Sequence, residues 1–334
     1  MNRYLKNLLG ICIAVGTAFS AHAQWPDRAI KIVVPYPAAN SSDVAARLIG
    51  EKLAAQLGQP VIVENRAGAS GTLGTAYAAK QPADGYTLAI GAPGPLSVGP
   101  WTTVRPLPYD PVNDFVVVGA IAWAPQVLVA KKDLPVKNFQ EFLAYAKKPG
   151  ATLIYGSSGV GTVPQLIVAQ MLKQTGIKAE HVPYRGGAPA ITDLRGGVID
   201  FMSDTVPVVR GMIAEGTIKA LGVSTAERIP SLPDVPTLQE QGVKDFNLQG
   251  YILLVAPAKT PDQIVFRLRN AMDSIVKESD VRKRLLELGL TAQAAHAAVD
   301  RALAEGLLAF AALDQLGALD MRAAHRALRG GQHR

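Results

Sequence analysis

The feature that most constrains this chain is a repeated order of apolar strand, small polar loop and helix. Residues 31–53, KIVVPYPAANSSDVAARLIGEKL, show it first. AIKIVVPY reads as a strand, and DVAARLIGEKLAAQL as an amphipathic helix with Val44, Leu48, Leu53 and Leu57 on one face. The strand VIVENR, the Gly-led helix GASGTLGTAYAAKQ and the strand YTLAIG follow. Alternation at this spacing predicts an α/β chain whose parallel sheet is covered on both faces. With 334 residues, 49% of them hydrophobic, the chain has material for two domains.

A Pro-rich stretch from Pro93 to Asp114 interrupts the pattern. After it, FVVVGAIAWAPQVLVAKKDL reads as two strands with a bend at Ala124-Pro125, a candidate crossing between domains. The design then resumes: helix NFQEFLAYAKK, strand TLIYG, loop SSGVGT, helix VPQLIVAQMLKQTG. HVPYRGG, the short helix APAITDLR, the strand VIDFMSD, a further helical turn and the strand IKALGVST come next. RIPSLPDVPTLQEQG is an extended loop expected to lead into a short helix. YILLVAPA carries the chain back, and a helix opens at Thr260-Pro261 and runs to about Glu287. The resulting division is 24–124 with 251–334 as one lobe and 125–250 as the other, the crossings lying near Ala124-Pro125 and Gly250-Tyr251.

A loop that ends a strand and opens a helix presents unpaired N–H groups and the positive end of the helix dipole, where an anion fits. PAANSSDVAA offers Asn40, Ser41 and Ser42 there, with Asp43 read as the helix cap. YGSSGVGTVPQL offers Ser157, Ser158 and Thr162 beside Gly159 and Gly161, which permit close backbone approach, and Pro164 suits a first helical turn. Either loop alone reads as an ordinary cap. One in each half makes a site between two lobes.

The remaining chemistry is sparse. Gly156-Ser157-Ser158-Gly159 lacks the spacing of a nucleophile elbow, and Gly68, Gly71 and Gly74 do not form a dinucleotide fingerprint. Between the leader and residue 290 the one histidine is His181, too little for a triad or a zinc site. No catalytic group, metal or cofactor is expected. Arg3 and Lys6, the apolar run Leu8–Phe19 and Ala21-His22-Ala23 read as a signal peptide cleaved after Ala23, giving an exported, periplasmic protein. Cys12, the single cysteine, leaves with it, and the formal charge drops from +7 to +5. The basic residues are scattered rather than interleaved with aromatics, which argues against nucleic acid as a partner.

The ordered motifs WPDRAIKIVVPYPAANSSDVAARL, VIVENRAGASGTLG, PADGYTLAIG, LPYDPVNDFVVVG, YGSSGVGT, HVPYRGGAPAITDLRGGVIDFMSD, RIPSLPDVPTLQEQG and APAKTP resemble the Bug-type substrate-binding proteins of tripartite tricarboxylate transporters. The resemblance covers residues 24 to 290 and implies a type II-like periplasmic-binding-protein fold, two α/β lobes closing on a small carboxylate. It implies that the two loops clasp one carboxylate, and that the position of Asp204 helps choose the rest of the ligand. On that basis the expected site is Tyr36, Ala39, Asn40, Ser41, Ser42, Ser157, Ser158, Gly161, Thr162, Tyr184 and Asp204, in a monomer that hands its ligand to membrane transporter subunits. A receptor passing the signal to a sensor kinase is the first alternative, a secreted hydrolase the second. Two departures stand out: Ala39-Asn40 replaces the family's Gly pair, and Gln165 stands where a His or similar polar residue is common. The end also differs. Of the last 44 residues 14 are Ala, and Leu303, Leu307, Phe310 and Leu316 could line one helical face of a loosely docked tail. That tail reads either as divergence or as a shifted reading frame.

Overall fold

The computed structural model describes residues 25–102 and 106–292. The leader, its cleavage site and the tail helix proposed from Leu303 to Leu316 lie outside the described residues.

The first unit begins with β1 (Ile30–Val34), α1 (Ser41–Leu57), β2 (Val61–Asn65), α2 (Thr72–Ala79) and β3 (Thr87–Gly91). β1 pairs in parallel with both β2 and β3, as the alternation requires. Next comes β4 (Phe115–Lys131), followed by α3 (Phe139–Ala146), β5 (Ile154–Ser157), α4 (Val163–Thr175) and β6 (Glu180–Pro183). Then follow α5 (Gly187–Arg195), β7 (Phe201–Thr205), α6 (Val206–Ala214), β8 (Ile218–Val223) and β9 (Gln249–Pro257). α7 (Asp262–Ile275), α8 (Ser279–Glu287) and β10 (Thr291–Ala292) close the described chain.

The strand order is β2-β1-β3-β9-β4-β7-β5-β6, with β8 and β10 also paired to β4. The sheet is therefore mixed rather than parallel. β5 runs parallel to β6 and β7, but β9 is antiparallel to β3 and β4, and β4 is antiparallel to β7 and β8. The long strands that pass between the two halves cause the difference. β4 is one strand of 17 residues, not two with a bend at Ala124-Pro125. Pro125 fits because the ladder changes there: β4 pairs with β9 from Phe115 to Pro125, and with β7 and β8 from Gln126 or Val127 onward. A residue lacking an N–H costs least where one set of partners ends and the next begins.

Each half has its own core. In the first, Ile32, Ile49, Leu53, Leu88, Leu254, Leu268 and Met272 pack together around β1, α1, β9 and α7. Leu285 and Leu290 belong to the same cluster, so the chain stays docked through β10. In the second, Phe139, Phe142, Tyr155 and Phe201 fill one face of the sheet, while Val127, Leu194 and Met202 fill the other. The long terminal helix expected after Pro261 is split at Lys277-Glu278 into α7 and α8. The short helix expected after RIPSLPDVP does not form. Thr237 and Glu240 bond reciprocally, the Thr237 N–H donating to Glu240 Oε2 at 2.7 Å and the Glu240 N–H to Thr237 Oγ1 at 2.8 Å, as at a helix start, but Gly242 at φ +94° ends the turn at once.

Candidate functional site

A cleft of about 320 Å³ opens where β4 and β9 pass between the halves. Its wall includes Ala124 and Gln126 of β4, and Gly250, Tyr251 and Ile252 of β9. Four helices begin on it, contributing Ser41 and Ser42 of α1, Val163 and Pro164 of α4, Gly187 and Ala188 of α5, and Pro207 and Val208 of α6. First-turn N–H groups have no acceptor within their own helix, and each helix start carries partial positive charge. Among the described residues no Lys, Arg or His lines the cleft. The positive character of the site is thus built from backbone.

The α1 loop is locked from behind. Asn40 is the N-cap, its Oδ1 accepting from Asp43 N–H at 2.9 Å. Asp43, expected as the cap, instead sits in the first turn and reaches back, accepting from Ala39 N–H at 2.8 Å. Asn65 and Arg47 also donate to its carboxylate, at 2.9 and 3.1 Å. Burial alone would push the Asp43 carboxyl up, but these donors outweigh it and hold it below the usual carboxylate range. The cause is position: Asn40 stands just before the helix, where its side chain reaches the third N–H, whereas Asp43 already lies inside the first turn. Ala39 adopts φ +67°, a left-handed conformation that favours glycine.

The α4 loop is knotted around Ser157. Its hydroxyl is fully buried, accepts from Gly159 N–H at 3.2 Å and lies 2.7 Å from His181 Nε2. His181 in turn stacks on Tyr155 at 4.6 Å, and burial lowers its pKa, keeping the ring neutral. This serine–histidine contact resembles part of a hydrolase, but Ser157 does not line the cleft and no carboxylate bonds His181 among the described residues. Its role is to shape the loop. Gly161 N–H donates to Gln165 Oε1 at 2.7 Å, and Thr162 Oγ1 donates to Gly159 O at 2.7 Å. Gln165 is therefore a buttress in this fold.

Of the residues expected from sequence, Tyr36, Ala39, Asn40, Ser41, Ser42, Ser158, Thr162 and Asp204 line the cleft. Ser157, Gly161 and Tyr184 do not. Tyr184 turns its hydroxyl to Asp193 Oδ2 at 2.7 Å, and burial, with Asp193 assisting, pushes the phenol up to about 12. Asp204 sits at the end of β7 and is 5% exposed. Its Oδ1 accepts from Thr205 N–H at 2.7 Å, while Oδ2 has no hydrogen-bond partner among the described residues. Burial pushes its carboxyl up to about 6.

Sequence reasoning missed Gln126, Gly187, Thr205, Pro207 and Tyr251. One signal was available: Thr162-Val163-Pro164 and Thr205-Val206-Pro207 are the same tripeptide, and each puts a Thr N-cap and an early proline at a cleft-facing helix start.

The profile of the family described as "Tripartite tricarboxylate transporter family receptor" matches residues 45–305. BugT of Bordetella pertussis is 33% identical over 294 residues, covering 87% of this chain and 90% of that protein. An R. palustris protein solved with adipate superposes with a TM-score of 0.83 at 32% identity, covering 88% of this chain and 98% of that one. MatC from Rhodopseudomonas palustris, solved with bound malate, gives 0.79 at 32% identity over 87% and 100%.

Proposed function

The chain belongs to the tripartite tricarboxylate transporter family of receptors, and we propose that its cleft captures a small carboxylate and presents it to the membrane subunits of such a transporter. The observation that carries this reading is the set of four helix starts on a cleft that has no cationic side chain among the described residues. Helix N-termini suit a small anion. Adipate and malate, seen with two relatives, are small carboxylates.

In this reading the N–H groups of Ser41 and Ser42 hold one side of the carboxylate, with Ala39 and Asn40 setting their direction. Ser158 holds it from the other lobe, while Thr162, whose hydroxyl and N–H both donate to Gly159 O, lines the wall and joins Ser157 and Gly161 in keeping that loop in shape. Tyr36 and Asp204 bound the remainder of the ligand, and Tyr184 supports the wall from behind. The protein works as a periplasmic monomer after removal of residues 1–23. Among the described residues no helix is long and apolar enough to cross a membrane.

A thermal-shift screen of carboxylates, followed by calorimetry against the matching amides, tests the proposal. A ligand present at about 100 times its Kd adds roughly 2.7 kcal/mol of stability. Ser158→Ala removes a hydroxyl that would bond a charged group, so affinity should fall about tenfold or more for every ligand. An amide that binds as well as its acid would falsify the carboxylate clasp.

A further inference from the structure

We infer that the turn at residues 68–71 of the first half is a latch that closes on the α4 loop of the second, with Ser70 as its positioning residue. Four consecutive residues there hold positive φ: Gly68 at +140°, Ala69 at +46°, Ser70 at +53° and Gly71 at +98°. Two of them are not glycines, and L-residues keep such angles only where their surroundings fix them. The fixing is done within the first half. Gly68 O accepts from Gly71 N–H at 3.0 Å, a Cβ on Gly71 would stand 3.3 Å from both Tyr36 and Pro95, and one on Gly94 would stand 3.2 Å from Ser70 O. Ser70 is thus a rigid peg, shaped before the halves meet.

The socket is Gly159, buried in the α4 loop. A Cβ there would stand 2.5 Å from Ser70 Oγ, so only glycine leaves room for the peg. The Gly159 backbone is already engaged within its own loop, its N–H donating to Ser157 Oγ at 3.2 Å and its oxygen accepting from Thr162 Oγ1 at 2.7 Å. Two preformed surfaces meet, which keeps the ordering cost of closure small. Neither Ser70 nor Gly159 lines the cleft, so the pair acts on a ligand only through the position of the loop. The pattern recurs around the rim. A Cβ on Gly186, the N-cap of α5, would stand 3.0 Å from Pro37 Cγ, and Val206, the first residue of α6, meets Gly289 of the first half in the same close way. Each helix start that the second half brings to the cleft is therefore seated against the first half at a glycine. Only the closed form grips from both sides, so the closed fraction scales the affinity for any ligand.

Cross-linking tests the contact in the full chain. A Cβ on Gly159 would stand 3.6 Å from Ser70 Cβ, inside the span of about 3.5–4.5 Å that a disulfide bridges. Cys12→Ser, Ser70→Cys and Gly159→Cys are combined, and glutathione disulfide is the oxidant: two protein thiols become one S–S bond as it is reduced to two glutathiones. The expected product is an internal disulfide in most molecules without added ligand, with a radius of gyration no larger than before oxidation. Both thiols left free, or both capped by glutathione, overturn the inference. Substitution then separates the latch from backbone strain. Gly159→Ala should expand the ligand-free protein in small-angle scattering, and so should Ser70→Leu, which leaves the α4 loop untouched. Alanine at φ +136° is strained whatever the first half does, but Ser70→Gly makes room for its Cβ. Adding Ser70→Gly to Gly159→Ala should therefore return the radius to that of the unsubstituted chain, and melting curves show that each variant is folded. No expansion, or an expansion that Ser70→Gly leaves in place, overturns the latch. Neither result touches the carboxylate clasp, which is read from calorimetry with acids and amides.

Discussion

Ala39 and Asp204 are the two cleft residues held where their chemistry resists. Ala39 keeps φ +67° because Asp43 grips its N–H, and an L-residue in that region loses roughly 1–2 kcal/mol. The family's glycine at this point is thereby explained by backbone conformation, more than by room for the ligand. Ala39→Gly should raise the melting temperature by a few degrees, the gain limited to about 1 kcal/mol by the greater freedom glycine has when unfolded. Asp204 behaves in the opposite way across pH. Its folded pKa of about 6 lies above the unfolded value near 3.8, so the unfolded chain gives up this proton first. Stability attributed to the protonated acid is complete below about pH 4 and is lost as pH rises through 6. Asp204→Asn should therefore stabilise the ligand-free protein at pH 7.5, by an amount on the order of 2–3 kcal/mol, and leave it little changed near pH 4. Parallel melting curves at the two pH values check this, and an equal effect at both would refute it.

At the scale of elements, the cleft is an assembly of helix starts, so a cap matters beyond its own helix. Asn40→Ala should cost about 1 kcal/mol of stability and weaken ligand binding, because Ser41 and Ser42 lose the anchor that aims their N–H groups. Denaturant melts and calorimetry on the one variant would separate the two effects. Much of this level could be read in the chain beforehand. The strands and helices of the first ninety residues follow from periodicity, and the loops at Ser41 and Ser158 follow from small polar residues ahead of an apolar helix. What stayed hidden has physical causes. Gln126 looks like any residue of an apolar run, and only the switch of β4 from β9 to β7 and β8 puts its side chain on the cleft. The strand directions were invisible because local alternation cannot tell whether a returning strand enters between its neighbours. Thr237 and Glu240 carry the pattern of a helix start, which Gly242 overrules.

For the whole molecule, the two halves also touch away from the shared strands. Arg210 of α6 donates to Glu287 O at 2.5 Å, and a Cβ on Gly289 would meet Val206 at 2.4 Å. Bending at Ala124-Pro125 and Gly250-Tyr251 would open the cleft while leaving each core intact. Small-angle scattering should therefore show a smaller radius of gyration with a tight ligand than without, and superimposable profiles would count against hinged closure. The same two strands also set a timetable. β3 and the first half of β4 pair with β9, which is made some 150 residues after β3, so at about 5–20 residues per second those edges wait roughly ten to thirty seconds on the ribosome. The half that is begun first is finished last, and the β3 edge remains unsheltered for about half of synthesis.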